Sequence, residues 1–493
     1  MDTDAGVASG SNSLGFGLKF WYGLGQLAEG VKNTAFSFFL VFYFNQVLGL
    51  SGTLAGTAIF IALVFDAVSD PVAGSLSDRL RSRWGRRHPF MYASAAPLAV
   101  TFCLLFNPPP GLGQWGLFGW LLCFAILVRA SMTLYHVPHL ALGAELTDDY
   151  SERTTVVAFR SFFSMIGAFA TPVVGMGLFL RSTEQFENGQ LNPAGYESLA
   201  IFFAIIMFVT IIASGIGTHS RIPFLHQPAK DTERFTVARL WSEFRQAFAM
   251  PEFVWLACAM TLMGTLGGVL TVLQLHLTTF FWELKTDQIV IQSAWRALGP
   301  LLGIPFWAIM ARRFDKMPTL AFGTFWLGLI VAVPPLAKIY GFYPPYESAA
   351  YFPILVAVSF LALFGASAAF VTGGSMMADV VDAHELRFGR RQEGVFFAAI
   401  SFAGKAASGL GGWIAGIGID VIQFPMNAVP GEVSADVVRN LGFLCGPATA
   451  VLAVISGFAI LNYGLRRERV EEIQAALVAR RGASGDAALG PRA

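Results

Sequence analysis

The stretch from Ile59 to Pro89 has the sequence IFIALVFDAVSDPVAGSLSDRLRSRWGRRHP. It starts as an apolar run that holds two acids, Asp66 and Asp70, and it ends in a loop rich in arginine. Acids four residues apart lie on one face of a helix, one turn above the other. An ionised carboxylate in hydrocarbon costs on the order of a few kcal/mol, so the pair must face a cation, a basic partner or water. The stretch therefore predicts an ion site inside a membrane bundle.

The composition is that of a protein with many membrane spans. Of 493 residues, 55% are hydrophobic and 13% are charged, whereas soluble domains carry about 25% charged residues. Apolar runs long enough to span a bilayer can be placed at 20–46, 54–77, 90–106, 115–145, 154–180, 198–218, 252–282, 289–311, 318–338, 350–376, 394–420 and 440–464. We expect an all-α polytopic membrane protein of twelve helices in two six-helix halves.

The basic residues indicate the orientation of these helices. Most of the 33 Lys and Arg residues fall in loops on one side of the membrane, and the loops on the other side hold Arg181, Lys285, Lys338 and Arg439. The positive-inside rule then places both termini in the cytoplasm of a multi-pass protein of the plasma (inner) membrane. The expected segments are a tail 1–19, a bundle 20–218, a cytoplasmic loop 219–250, a second bundle 251–465 and a tail 466–493.

Some charges fall inside the expected spans. The bases are Lys32, Arg129, Arg160, Arg296 and Lys405, and the acids are Glu29, Asp66 and Asp70. The two acids of the second span supply up to four oxygens for a hard cation or a shared proton. The alternative is a structural salt bridge to Arg129, Arg160 or Lys405. Lys405 lies mid-helix among small residues, which favours a role as partner of these carboxylates or of a substrate.

The other polar residues in the spans leave alternatives open. Glu29 and Lys32, three apart on the first helix, either neutralise one another or bind substrate. Arg129 and Arg160 are suited to bind substrate hydroxyls or carboxylates. His136 is either a packed, hydrogen-bonded histidine or a ligand or proton relay.

Several function classes find no support in the sequence. No phosphate-binding loop follows a strand, which argues against ATP-driven transport, and the glycine runs GTLGGV and GLGGW predict close helix contacts instead. The basic residues form no stripe for nucleic acid. An enzyme acting on lipid would need a nucleophile with a base or a metal cluster, and His136, His139 and Glu145 are the nearest set.

A family resemblance covers most of the chain. The segment GSLSDRLRSRWGRR, residues 74–87, resembles the signature loop between the second and third helices of the major facilitator superfamily. With DAVSDP before it, the segment resembles the glycoside-pentoside-hexuronide:cation symporter family, which includes the melibiose permease. Further similar segments are KFWYGLGQLAEG, FFLVFYFNQVLGLS, YHVPHLALGAEL, FRSFFS and ADVVDAHELRFGRRQEG.

The resemblance implies roles for individual residues. Asp66 and Asp70 match the family's cation-binding carboxylates, and they would hold Na⁺ if the protein is sodium-coupled. Ser69 stands in place of an asparagine of that site, and Thr133 matches a threonine ligand. The lysine that lies near both sites in the family corresponds to Lys405. Arg160 matches the arginine of the sugar site.

Departures from the family pattern bear on the substrate. Gly30 and His136 stand where the melibiose permease has sugar-binding aspartates, and Leu140 replaces a tryptophan, which argues against galactoside specificity. Related carriers of lysophospholipids keep the acids of the second helix and the lysine of the eleventh. The implied substrate is therefore a sugar, glycoside or hexuronide, with a non-sugar amphiphile such as a lysophospholipid as the alternative.

The resemblance and the charge placement together suggest a mechanism. We expect symport driven by Na⁺ or H⁺, with no other cofactor, in a monomer whose partners are a small molecule, the cation and the bilayer. Cation binding would neutralise Asp66 and Asp70 and release Lys405. The expected inside gate is a set of ion pairs that involves Asp78, Arg79, Arg86, Arg87, Asp379 and Asp382.

Overall fold

The computed structural model describes residues 14–147, 149–225, 247–389 and 393–488, and the regular structure in these ranges is helical. The first half consists of α1 Phe16–Thr34, α2 Gly52–Arg79, α3 His88–Leu105, α4 Gln114–Glu145, α5 Tyr150–Val174 and α6 Pro193–Thr218. The second half consists of α7 Pro251–Val272, α8 Thr286–Phe314, α9 Lys316–Ile339, α10 Tyr351–Phe388, α11 Glu393–Val421 and α12 Ala435–Leu461. A further helix, α13 Arg467–Ala488, follows.

The number of spans agrees with the sequence. Ten helices in the described ranges are long and apolar enough to cross a membrane. The other two are α1, which π-helical turns prolong to Val47, and α11, and both pack among the ten. The expected all-α bundle of twelve membrane helices is therefore confirmed, and most helix ends lie within a few residues of their expected positions.

One helix is much longer than predicted. The apolar run suggested an end at residue 376, but α10 continues to Phe388. Its polar second part stays helical because Asp379 binds Lys316 at 2.6 Å and His384 packs against Phe388. Gly389, with φ 71°, ends the helix in the left-handed conformation that favours glycine.

The expected cytoplasmic loop is described only in part. His219–Phe224 forms a 3₁₀ turn after α6, and residues 226–246 lie outside the described ranges.

Glycines bring α11 into backbone contact with helices on both sides. A Cβ atom on Gly416 would lie 2.2 Å from the carbonyl oxygen of Gly52 in α2. A Cβ atom on Gly268 of α7 would lie 2.5 Å from the carbonyl oxygen of Ser408 in α11. Larger residues do not fit at such contacts. Gly268 belongs to the run GTLGGV, and in the run GLGGW a Cβ atom on Gly411 would lie 2.3 Å from the carbonyl oxygen of Thr265 in α7. Both runs therefore form close helix contacts, as the sequence predicted.

The halves are joined by polar contacts at one end of the bundle. We call this the closed end, formed by the loops around residues 48–51 and 422–434. There Asp420, at the end of α11, accepts hydrogen bonds from Ser51 Oγ at 2.5 Å, Gly52 N at 3.0 Å and Thr53 N at 2.8 Å. The first N–H groups of a helix lack partners inside that helix. A carboxylate of the second half therefore caps a helix of the first.

Two glutamines add to this closure. Gln46 accepts a hydrogen bond from Ala428 N at 3.1 Å and donates one to Pro425 O at 3.2 Å. Gln190 donates to Thr279 at 3.0 Å and accepts from Thr286 at 2.8 Å. Both glutamines belong to the first half and their partners to the second, so the contact is continued around the closed end.

The opposite end, which we call the basic end, is formed by the loops that hold residues 80–87, 312–316 and 462–466. Its ion pairs include Arg87 with Glu145 at 2.8 Å and Lys316 with Asp379 at 2.6 Å. Each of these pairs lies within one half. At this end, the charges that could pair across the two halves are paired within each half instead. At the closed end, the polar contacts join one half to the other.

We predict that Asp420→Ala weakens the closed end. Loss of one helix cap costs about 1 kcal/mol, and here the same side chain also joins the two halves. The population opened at this end should rise several-fold. In a variant without the native cysteines, Ser408→Cys in the cavity should react faster with an impermeant thiol reagent that is added from the closed end.

Asp436→Ala is the matched control, because Asp436 is exposed and pairs with Arg439 one helical turn away. Equal labelling rates in the Asp420→Ala protein and its control would show that the cap does not hold the halves together.

Candidate functional site

A cavity of about 530 Å³ lies between the two halves. Helices α1, α2 and α4 of the first half line it, and α7 and α11 of the second half complete it. The two walls differ in chemistry. The polar residues of the first half are Glu29, Lys32, Asn33, Thr34, Ser37, Asp66, Asp70, Arg129, Thr133 and His136, and the second half supplies Gly264, Gly267, Gly268, Thr271, Val272, Gly404, Lys405, Ser408, Gly409 and Gly412. The first half therefore supplies most of the polar side chains, and the opposite wall consists mainly of glycine backbone.

The two acids of α2 have different partners. Asp66 is 7% exposed, and its Oδ2 accepts a hydrogen bond from Arg129 Nη1 at 2.8 Å. Asp70, one turn further along, is paired through Oδ2 with Lys405 Nζ at 2.5 Å. The first pair links α2 to α4 within one half, whereas the second links α2 to α11 across the cavity. Asp70 therefore carries a charge contact between the halves.

Thr133 connects these carboxylates. Its Oγ1 lies 3.0 Å from Asp66 Oδ1 and 2.9 Å from Asp70 Oδ1. A hydroxyl has one proton and donates one hydrogen bond. The second short oxygen contact is favourable when a carboxyl group carries a proton or when a cation lies among the three oxygens. The geometry therefore suits a proton or a hard cation such as Na⁺.

The residue predicted to complete this site is turned away from it. Ser69 does not line the cavity, and its hydroxyl donates to the backbone oxygen of Asp66 at 3.2 Å. The three oxygens that converge here belong to Asp66, Asp70 and Thr133, and the Ser69 hydroxyl is not one of them.

A second polar cluster lies on α1 and α4. Glu29 accepts hydrogen bonds from Gln26 and from Asn33 Nδ2, the latter at 3.3 Å, and its Oε2 lies 3.4 Å from His136 Nδ1. Gln26 and Asn33 were missed in the sequence. Their spacing of three and four residues from Glu29 on one helix face was the signal that could have found them.

One pairing considered from the sequence is not formed. Lys32 and Glu29 make no salt bridge, and the Lys32 ammonium donates instead to Asn33 Oδ1 at 2.7 Å. Glu29 lies against His136, and Lys32 is close enough to Asp66 of α2 to interact with its charge.

Two other predicted residues are placed differently. Arg129 lines the cavity but is occupied by Asp66. Arg160 does not line it and lies beside the Tyr22 hydroxyl. The role predicted for Arg160 at a sugar site stays a prediction that would require movement of α5.

The expected gate residues are paired within their halves. Arg86 and Arg87 bind Glu145 at 2.9 and 2.8 Å, and Arg87 also binds Asp78 at 2.6 Å. Arg79, next to this cluster, is exposed. These charges form one half of the proposed gate.

The other acids of the expected gate lie on α10. Asp379 accepts both of its hydrogen bonds from Lys316, and Asp382 lies 3.5 Å from Gln474 of α13. The role of these acids in gating stays a prediction.

The histidines do not form an enzyme-like cluster with Glu145. His136 lies by Glu29 in the cavity, His139 is bonded to the backbone oxygen of Tyr22 at 2.9 Å, and Glu145 binds arginines at the basic end. Within the described residues, no group of three or more His, Cys, Asp or Glu side chains could hold a metal ion.

Comparison with protein families decides the class. A family model described as MFS/sugar transport protein matches residues 21–467, which is most of the chain. The chain belongs to this family of transporters. The suspected resemblance to the major facilitator superfamily is thereby confirmed.

Individual relatives differ in the substrate after which they are named. YagG of Escherichia coli, named as a candidate glycoside/cation symporter, is 27% identical and covers 95% of this chain and 96% of its own. The isoprimeverose transporter of Lactiplantibacillus pentosus is 24% identical over 82% of this chain and 80% of its own. A sodium-dependent lysophosphatidylcholine symporter of Danio rerio is 26% identical over 92% of this chain and 87% of its own length.

Solved structures confirm the fold. The inward open xylose transporter XylE from Escherichia coli matches with a TM-score of 0.62 at 14% identity, over 93% of this chain and 99% of that one. A bacterial homologue of the iron transporter ferroportin in an inward-facing state matches with a TM-score of 0.63 at 12% identity. The match covers 90% of this chain and 98% of that one.

We predict that side chains added to the glycine wall block the cavity without disturbing the fold. Cβ atoms on Gly267 and Gly404 would meet nothing within 4 Å, although both residues line the cavity. Gly267→Val and Gly404→Val should therefore lower uptake sharply at unchanged thermal stability. The measurements are transport in vesicles and the melting temperature of the purified protein.

Gly268→Ala gives the contrasting case, because its Cβ would lie 2.5 Å from a backbone oxygen. It should lower the melting temperature. Full uptake by Gly267→Val and Gly404→Val would mean that the substrate does not pass along this wall.

Proposed function

We propose that the protein couples the movement of Na⁺ or H⁺ to symport of a sugar, glycoside or hexuronide by alternating access. The observation that carries the proposal is the position of Asp70. Its carboxylate lies within reach of Thr133 in one half and is paired with Lys405 of the other half. A charge contact across a central cavity is the element on which ion coupling can act.

Cation binding would break this contact. A proton or Na⁺ among Asp66 Oδ1, Asp70 Oδ1 and Thr133 Oγ1 reduces the negative charge that holds Lys405. The ammonium is then released toward the substrate cavity, and α11 is no longer bound to α2 at this level. The loaded carrier can then rock about the central cavity, so that the basic end closes and the closed end opens.

The cluster around Glu29 supports a sugar substrate. A carboxylate, two amides and a histidine, from Glu29, Gln26, Asn33 and His136, offer donors and acceptors suited to several hydroxyl groups. The bare backbone of the opposite wall leaves room for a flat ring. The name of the isoprimeverose transporter agrees with this class.

Transport of an amphiphile is the second candidate. It is favoured by the similarity to a sodium-dependent lysophosphatidylcholine symporter over 92% of this chain. Uptake of labelled lysophosphatidylcholine and of sugars in the same vesicles separates the two candidates.

We further propose that the basic end faces the cytoplasm, as the positive-inside rule requires, in the plasma (inner) membrane of the cell. The protein would then work as a monomer with no cofactor other than the coupling ion. In this orientation the closed end faces outward, and the carrier is held in a state that can release substrate inside.

We predict that Asp70→Asn abolishes coupling. The amide cannot exchange a proton and binds Na⁺ less strongly than a carboxylate, so an ion gradient should no longer drive accumulation. Exchange of substrate down its own gradient should persist. Uptake in proteoliposomes under imposed sodium and proton gradients measures both activities.

Glu472→Gln serves as the control, since Glu472 is exposed and pairs with Arg469 in α13. Accumulation by Asp70→Asn at the rate of this control would contradict the coupling scheme.

We predict that Thr133→Val weakens binding of the coupling ion, because it removes the oxygen shared by the two acids. One such hydrogen bond to a charged group is worth about 1.5–3 kcal/mol. The cation concentration for half-maximal uptake should therefore rise about tenfold or more. Thr133→Ser keeps the hydroxyl and should remain near the wild-type value, and equal values for Val and Ser would show that this oxygen takes no part.

A further inference from the structure

Three acids and three bases line the cavity, and one of the bases is not paired with a carboxylate. The charged residues that line it are Glu29, Lys32, Asp66, Asp70, Arg129 and Lys405. Asp66 is paired with Arg129 and Asp70 with Lys405. Glu29 is occupied by its neighbours on α1 and by His136. Lys32 has no carboxylate within salt-bridge distance in the described part of the chain.

The Lys32 ammonium has unused donors. Its side chain is almost fully buried, at 4% exposure, and one hydrogen bond is formed, to Asn33 Oδ1 at 2.7 Å. An ammonium carries three N–H groups, so two of them lack a protein acceptor among the residues described. Asp66 is an acid near enough to act on Lys32, but its oxygens are bonded to Arg129 and Thr133.

The position of this charge also matters. Two other bases of the spans lack an acid partner in the described ranges, namely Arg160 beside Tyr22 and Arg296, which donates to Gln274 at 2.6 Å. Neither of them lines the cavity. A buried, unpaired charge inside a membrane bundle is costly to keep, so its presence indicates a function. Among the charged residues that line this cavity, Lys32 is the base without a carboxylate within salt-bridge distance, and Asp66 acts on its charge from further away.

We propose that Lys32 binds an anionic group of the transported substrate, that is, a carboxylate, sulfonate or phosphate. The inference rests on the proposed transport function and narrows it to acidic substrates. Asn33 accepts from Lys32 and donates to Glu29, so it joins the anion subsite to the hydroxyl-binding cluster. An acid sugar would place its carboxylate at Lys32 and its hydroxyls at Glu29 and His136.

The test is uptake into proteoliposomes that contain the full chain under an imposed sodium or proton gradient. Two matched pairs of probes separate the sources of the anion: glucuronate against glucose, and lysophosphatidylglycerol against a neutral monoacylglycerol. For one pair, the acidic member should be taken up with a KM at least about tenfold lower than that of its neutral counterpart.

Variants assign this preference to Lys32. Lys32→Gln should raise the KM for the acidic probe about tenfold or more and leave that for the neutral probe unchanged, whereas Lys32→Arg should keep the preference. Arg439→Gln, which removes an exposed charge far from the cavity, is the control. If Lys32→Gln does not fold, the wild-type preference and the Lys32→Arg protein decide the question.

The outcomes separate this inference from the proposed function. Ion-driven uptake of glucose or monoacylglycerol with no preference for the acidic member, unchanged by Lys32→Gln, overturns the anion subsite and leaves symport intact. Failure of folded protein to accumulate any probe, with or without a gradient, overturns the proposed function and the inference with it. A preference that survives Lys32→Gln overturns the role of Lys32.

Discussion

The structure depends on the contact between Asp70 and Lys405. A lone carboxylate or ammonium inside a membrane bundle is unfavourable unless it meets water or an opposite charge. Asp70 and Lys405 are partly exposed in the cavity and neutralise one another there. The two residues belong to different halves of the protein. The ion pair that neutralises these two charges therefore also joins the halves. An ion that replaces Lys405 at the Asp70 carboxylate would change how the halves interact.

The unequal walls of the cavity follow from this arrangement. Charged and amide side chains come mainly from α1, α2 and α4, while α7 and α11 contribute glycines. Glycine has two uses in α11. At Gly416 it allows backbone contact with α2 near the closed end, and at Gly404 it leaves open space. One helix thus packs tightly at the closed end and makes room for a substrate further along.

The two ends of the bundle are held by different kinds of contact. At the closed end, Asp420 and the glutamines join the halves through hydrogen bonds to backbone and hydroxyl groups. At the basic end, Arg87 and Asp379 form ion pairs inside their own halves. Ion pairs of this kind can exchange partners when the halves approach, and this is the chemistry that an alternating carrier needs.

The sequence by itself determined the membrane class, the twelve spans and the two acids of α2, because hydropathy and helical spacing are local properties of the chain. The length of the apolar run predicted an end of α10 that is too early, since Asp379 in its polar second part is paired with Lys316 of another helix. The sequence also left two pairings open, that of Lys32 with Glu29 and that of Arg129 with Asp66. Only the tertiary structure decided these partners, because which buried charges meet depends on how the helices are rotated and packed, and no local pattern of residues specifies that.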